Sequence, residues 1–268
     1  MTCPPHHHCR SGFTLVELAI VLTILALLIA GVLVGRDLWI LAQLRSQISQ
    51  VDAANAAIAT FRSKYGAVPG DLHARDAVLL GMIARSGERG HGDGNDVVES
   101  CDAGCGFCTS VPLGCEVALF WSDLAQGGLL EGSFPAAKDD YVQASSFQDT
   151  LGYFPEAKLG SAALVPTVCS QTGTWLAALR ITASDLWSMG GSIESAPAIP
   201  GAYAQAIDAK MDDGRPQSGQ VRARRVASDP AGYFCAPDLS GGLCLNAAGH
   251  YKVTGVSLCQ LNFRMGSQ

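Results

Sequence analysis

The sequence predicts an α+β protein: one long N-terminal α-helix packed on a C-terminal globular head with an antiparallel sheet and a disulfide-rich insertion. Three observations carry that reading. An apolar run from Phe13 to Gly35 continues into a stripe of apolar residues at helical spacing that lasts to Tyr65. The segment from Gly66 to Gln268 then mixes short helix and strand patterns. Cys101, Cys105, Cys108 and Cys115 crowd into a glycine-rich stretch, with Cys169, Cys235, Cys244 and Cys259 spread behind them.

The first element is a membrane-length helix. At about 1.5 Å of rise per residue, Phe13 to Gly35 covers about 34 Å, enough for a hydrocarbon core of about 30 Å. Leu, Ile, Val and Ala dominate it, and Glu17 is its only ionisable residue. A lone carboxylate in lipid is unfavourable by about 2.5–3.5 kcal/mol even on insertion scales, so Glu17 calls for a partner. Gly31 and Gly35 form one small-xxx-small pair of the kind that lets helices approach closely. The preceding Met1–Gly12 is polar, with Arg10 and three histidines, and lacks the apolar core of a secretory signal. Arg36 lies just past the other end, so charge alone does not orient the span.

Beyond Gly35 the helix becomes amphipathic. Leu41, Leu44, Ile48, Val51, Ile58 and Tyr65 recur at three- and four-residue spacings, flanked by Ala54 and Phe61, while Gln43, Arg45, Ser46, Gln47, Gln50 and Asp52 fall mostly on other faces. Gly66, Pro69 and Gly70 in "YGAVPGD" mark its end. A helix from Phe13 to Tyr65 would be about 80 Å long. The stripe needs a cover, and the long downstream region supplies one.

The segment "GFTLVEL", Gly12 to Leu18, followed by the apolar run to Gly35, resembles the prepilin signature of type IV pilins and type II secretion pseudopilins. The resemblance implies a pilin-like fold, cleavage by a prepilin peptidase after Gly12, N-methylation of the new terminus at Phe13, and a role for Glu17 in setting subunit register during assembly. It divides the chain into a leader at 1–12, a transmembrane or filament-core half-helix at 13–35, an amphipathic half at 36–65 and a periplasmic or extracellular head at 66–268. Chemistry supplies a reason for the acid: cleavage creates an ammonium at Phe13, four residues before Glu17, and pairing repays part of the desolvation of both. "KYGAVPGD", "FWSDLAQGGLL" and "IDAKMDDGRPQSG" also look like recurrent head motifs of this group.

The head reads as mixed. Helices are expected from Leu119 and over Ser184–Met189. Strands are expected over Tyr141–Phe147, Leu151–Phe154, Ala162–Val168 and Tyr251–Phe263. "SIESAPAIPGA", Ser192–Ala202, reads as a surface loop, and "IDAKMDDGRPQSG" as a short strand, a two-acid turn in which Asp208 and Asp212 tie backbone amides, and a loop.

Ten cysteines are present, and eight remain once Cys3 and Cys9 leave with the leader. An even set suits disulfides in an oxidising compartment, and spacing does not choose the pairing. The cluster Cys101, Cys105, Cys108 and Cys115 is expected to staple a loop with few apolar residues of its own. Two sharper readings stand beside that: a four-thiolate zinc site, and a redox pair in "CGFC". No cofactor is required by the sequence. Calcium is a further candidate, with Asp93, Asn95 and Asp96 in "HGDGND" as first ligands, since this cation takes several oxygens on glycine-rich turns. "KMDDG" is a second acidic turn.

These features converge on a function. No Ser/His/Asp order, metalloprotease motif or phosphate loop is found, so an enzyme is not expected. Net charge is −6 with no basic domain, so no nucleic-acid partner is indicated. The expectation is a structural subunit, a minor one, of a type IV pilus or type II secretion pseudopilus. Its partners would be prepilin peptidase, other pilin or pseudopilin subunits, an inner-membrane assembly platform, and membrane lipid before assembly. It would start as a single-pass inner-membrane protein with the head outside the cytoplasm. The alternative is a filament-tip or membrane-anchored binding module, such as an adhesin or DNA-uptake component.

Overall fold

The computed structural model describes residues 14–99, 111–112, 114–139, 147–159, 162–169, 173–185, 192–196, 199–224, 244–246, 248–254 and 258–265. The chain divides into two units, Met1–Gln43 and Leu44–Gln268, with helix α1 (Leu15–Tyr65) contributing to both.

In the first unit α1 presents apolar side chains to the outside along its whole length. Leu15, Leu27, Val32, Leu38 and Trp39 are among the most exposed. A helix apolar all round and uncovered by its own chain is long and apolar enough to cross a membrane.

In the second unit the same helix is covered on one side. Leu44, Gln47, Val51, Ala54, Ile58 and Phe61 are buried, and their alternating three- and four-residue steps trace one face. The expected stripe is therefore rotated. Leu41 is exposed, Ile48 and Tyr65 are half-buried, and Gln47 lies inside rather than out. Gln47 tolerates burial because its amide oxygen accepts the Leu159 N–H, while Gln50 beside it accepts from Lys158 N–H and donates to the Glu156 carbonyl. The amides of α1 thus satisfy a stretch of irregular backbone that would otherwise be orphaned. The helix ends at Gly66, whose φ of 72° supplies the left-handed turn after the last helical residue.

The remaining elements are α2 (Ala74–Leu79), β1 (Val111–Pro112), α3 (Cys115–Gln126), α4 (Phe147–Thr150), β2 (Ala163–Cys169), β3 (Gly173–Asp185), β4 (Ser192–Ala196), β5 (Ile199–Pro200), α5 (Gly201–Met211), β6 (Val221–Arg224) and β7 (Leu258–Arg264). The strands form one antiparallel sheet, in the order β1-β4-β3-β7-β5, with β2 also on β3 and β6 also on β7. β3 runs past β2 with Thr174–Leu179 opposite Val168–Ala163, then past β4 from Arg180 onward, with a register shift between Ile181 and Ala183. β7 joins the sheet's two parts, pairing with β3 at Leu261–Arg264, with β6 at Gln260–Phe263 and with β5 at Leu258–Cys259. Among the described residues this is the expected α+β arrangement of a long helix with an antiparallel sheet.

Helix α3 lies at the centre of the head. Every residue from Cys115 to Leu124 is buried. Phe120 and Trp121 meet edge to face, with ring centroids 5.2 Å apart, and the Trp121 indole N–H donates to the Leu164 carbonyl of β2.

Several local expectations are corrected. Leu151–Phe154 forms turns, not a strand, because Gly152, Tyr153 and Phe154 amides bond back to Asp149 and Thr150. Phe147 opens α4, and the rest of Tyr141–Phe147 lies outside the described residues. Ser184 and Asp185 end β3 rather than opening a helix; residues 186–190 are likewise outside. Ser192–Ala202, read as a loop, contributes β4, paired with β3, and β5, paired with β7. Ile207–Met211, read as a strand and turn, belongs to α5, where alanines after Pro200 favour helix. Only the end of Tyr251–Phe263 is a regular strand; Tyr251 makes an isolated bridge with Leu245.

Candidate functional site

The first candidate site is the start of α1. Thr14 precedes the helix, and its N–H and hydroxyl both donate to Glu17 Oε2 at 2.8 Å. The Glu17 N–H donates back to Thr14 Oγ1 at 3.2 Å. This is a capping box: an N-cap hydroxyl and an N3 carboxylate satisfy each other's backbone donors reciprocally. Thr-x-x-Glu was legible in the sequence as this motif, but attention to the acid's charge passed over the threonine. Glu17 therefore has a local partner before any other chain is considered. Gly12 and Phe13 lie outside the described residues. A Cβ built at Gly31 or Gly35 meets nothing within 4 Å, so both positions present bare backbone outward.

The second is a loop clasp in the head. α3 carries Glu116 and Asp123 seven residues apart, two turns along one face. Asp123 makes a fully buried two-pronged ion pair with Arg85, at 2.7 and 3.0 Å, and also accepts the Gly70 N–H at 2.8 Å. Arg85 returns a bond to the Gly70 carbonyl. Gly70 is required here: at φ 88° a Cβ would stand 2.3 Å from the Glu116 carbonyl oxygen. Glu116 accepts the amides of Gly92 and Glu99, and Asp71 those of Gly94 and Asp96, all at 2.6–2.8 Å.

The clasp gathers three acids. Oxygens of Asp71, Asp93 and Glu116 lie within 4.8 Å of one another. Burial pushes Glu116 up to about 8, against the pull of its two amide bonds, and the negative Asp71 and Asp93 add to the rise. Burial likewise pushes Asp71 up to about 6. Of the trio considered for calcium, the Asp93 carboxylate accepts from the Asn95 side-chain amide at 3.1 Å. Asp93 joins Asp71 and Glu116, and also binds the Asn95 amide; Asn95 caps Val97 N–H; Asp96 faces Arg62 at 3.6 Å. Each has a turn-forming role within this geometry.

A second acidic corner follows α5. Asp208 accepts the Tyr251 hydroxyl at 2.6 Å and the Gly214 N–H at 3.1 Å. Asp212 accepts from Gln220 and Val221 amides, and Asp213 from Arg215 N–H and Ser218 Oγ. Burial raises Asp208 to about 6 and raises Tyr251 as well. As expected for Asp208 and Asp212, these carboxylates tie the α5–β6 turn.

Of the cysteines, Cys244 and Cys259 form a disulfide that joins β7 to the preceding segment. Cys115 is buried and disulfide-bonded, so it is not a thiolate free to ligate zinc. Cys169 ends β2. Cys101, Cys105, Cys108 and Cys235 lie outside the described residues, as does most of the insertion.

A family model for the prokaryotic N-terminal methylation motif matches residues 7–33. That motif is the signature of type IV pilins and pseudopilins. This chain carries it. Neither curated proteins nor solved structures include a match to the chain. The pilin-type motif begins ahead of α1, spans the Thr14–Glu17 cap and covers most of the apolar half-helix. It implies processing by a prepilin peptidase and assembly with other pilin-type subunits, and it points to a structural subunit rather than an enzyme.

Proposed function

We propose that this chain is a minor structural subunit of a type IV pilus or a type II secretion pseudopilus. The reading rests on one observation: a pilin-type methylation motif laid over an apolar half-helix whose single acid closes the helix's own first turn. Before assembly the span from Phe13 to Gly35 sits in the inner membrane with the head outside the cytoplasm. Cleavage after Gly12 exposes the Phe13 amine, which is N-methylated. On extraction into a filament the apolar surface is covered by sister helices. The ammonium of a neighbouring subunit then joins Thr14 at the Glu17 carboxylate, favouring one axial register.

Mass spectrometry of the native protein tests this reading directly. The expected product begins at N-methylated Phe13 and co-purifies with filaments. A chain that retains Met1–Gly12 in its mature form, or Glu17→Ala entering filaments at wild-type efficiency, would contradict it.

A further inference from the structure

A tryptophan stands in the open where the apolar run of α1 gives way to charge. The run closes at Gly35, Arg36 and Asp37 follow it, and Leu38 and Trp39 come next. Trp39 is 63% exposed, against 2% for Trp121 in the head. Leu38 and Leu41 beside it are exposed as well, and the first buried residue of α1 is Leu44. A short apolar collar thus continues past the charged pair, ahead of the covered half of the helix.

Spacing along the helix points to what covers this collar. Residues from Leu15 to Tyr65 form one continuous helix. Trp39 lies 22 positions after Glu17, and Arg36 lies 19 after it, which on a helix is about 33 Å and about 28 Å. The hydrocarbon core of a bilayer is about 30 Å thick. The acid and the base therefore bracket one hydrocarbon thickness, and Trp39 falls just beyond it, at the level of the headgroups. Arg36, three residues before Trp39, shares its side of the helix, whereas Asp37, two residues before, faces elsewhere.

We propose that Trp39 is an interfacial anchor: in the membrane-resident stage put forward above, its indole seats among phospholipid headgroups at the boundary where the chain leaves the bilayer toward Leu44, and Arg36 reaches the phosphates beside it. The inference rests on that stage and adds to it the level at which the helix stops. An indole has an apolar body and one N–H donor, and the interfacial layer satisfies both, with acyl chain for the ring and with ester and phosphate oxygens for the N–H. The Arg36 stem lies along apolar surface while its guanidinium meets phosphate. Leu38 and Leu41 add apolar surface at the same level. With Trp39 held there, Glu17 lies at the opposite boundary, where a carboxylate is far less costly than at the bilayer centre.

The full-length chain is reconstituted into vesicles of phosphatidylethanolamine and phosphatidylglycerol, and its flotation with them is checked first. Tryptophan fluorescence is then read with lipids brominated either near the headgroup or near the chain ends. The quenching that belongs to Trp39 is the part lost in Trp39→Phe, which leaves Trp121, Trp175 and Trp187 in place. It should be about twofold stronger, or more, with the shallow bromines than with the deep ones. Arg36→Leu lengthens the apolar run and should draw Trp39 deeper, bringing shallow and deep quenching toward equality. A chain that floats but loses no bromine quenching in Trp39→Phe overturns the proposal, as does a Trp39 quenched most by the deep bromines. Quenching seen only at high dilution in lipid assigns the collar to a second copy of the chain and overturns it as well. A ratio unchanged in Arg36→Leu overturns the part given to Arg36. A chain that does not float defeats the membrane-resident stage itself, and this inference with it.

Discussion

Arg85 and Asp123 show what a single buried charge demands. Their side chains are fully enclosed, and Asp123 serves both the guanidinium and the Gly70 amide. Removing one partner strands the other in a low dielectric, a loss of about 3–5 kcal/mol. Arg85→Met should therefore destabilise the head by that amount in chemical denaturation, while Arg85→Met combined with Asp123→Leu should recover part of it. Glu116 makes the complementary case. Its ordinary value is 4.5 and its folded value is about 8; Asp71 goes from 3.8 to about 6. Both are raised, so the folded state holds protons that the unfolded chain releases. That contribution is complete below about pH 4, declines as pH rises through 6, and is gone above 8. The melting temperature of the head should fall between pH 5 and pH 9, and Glu116→Gln should flatten the fall while weakening the clasp at pH 5. None of these pairings was visible in the sequence. Arg85 and Asp123 stand 38 residues apart, and Glu116 reaches Gly92 over 24, so no local spacing announces them. Thr14 and Glu17, three residues apart, were readable by rule.

At the scale of elements, what was legible followed periodicity. The long helix and its end at Tyr65 came from an unbroken apolar run, a stripe, and the turn residues after it. The face of the stripe was read a fraction of a turn off, because Gln47 was assigned to solvent by its polarity. Its burial depends on the Leu159 amide, 112 residues away. The strands were harder. β3 pairs with β2 and with β7 over the same stretch, Trp175–Ala178, and partners so distant in sequence leave no local pattern. Helix α5 was hidden in "IDAKMDDG" because the turn residues at its end drew more notice than the alanines before it. The buried face of α1 also gives a clean measurement. Phe61 is fully enclosed and its ring meets that of Tyr65 at a tilt, with centroids 4.6 Å apart. Phe61→Ala should remove about 3–5 kcal/mol from the head, seen as a lower denaturation midpoint. The apolar half-helix carries no such contact, so membrane fractionation of the variant should be unaltered.

For the whole molecule, the division at Leu44 separates what needs lipid or other helices from what covers itself. A chain shortened to Leu44–Gln268 should be soluble, show a cooperative thermal transition by circular dichroism, and retain the Cys244–Cys259 link in non-reducing peptide maps. If it instead aggregates or melts without cooperativity, the head depends on the apolar half-helix for its fold. The position of β7 adds a constraint on folding. This one strand bridges β3 to β5 and β6, so until it docks three strands lack their common neighbour, and its arrival ties them into a single cooperative sheet.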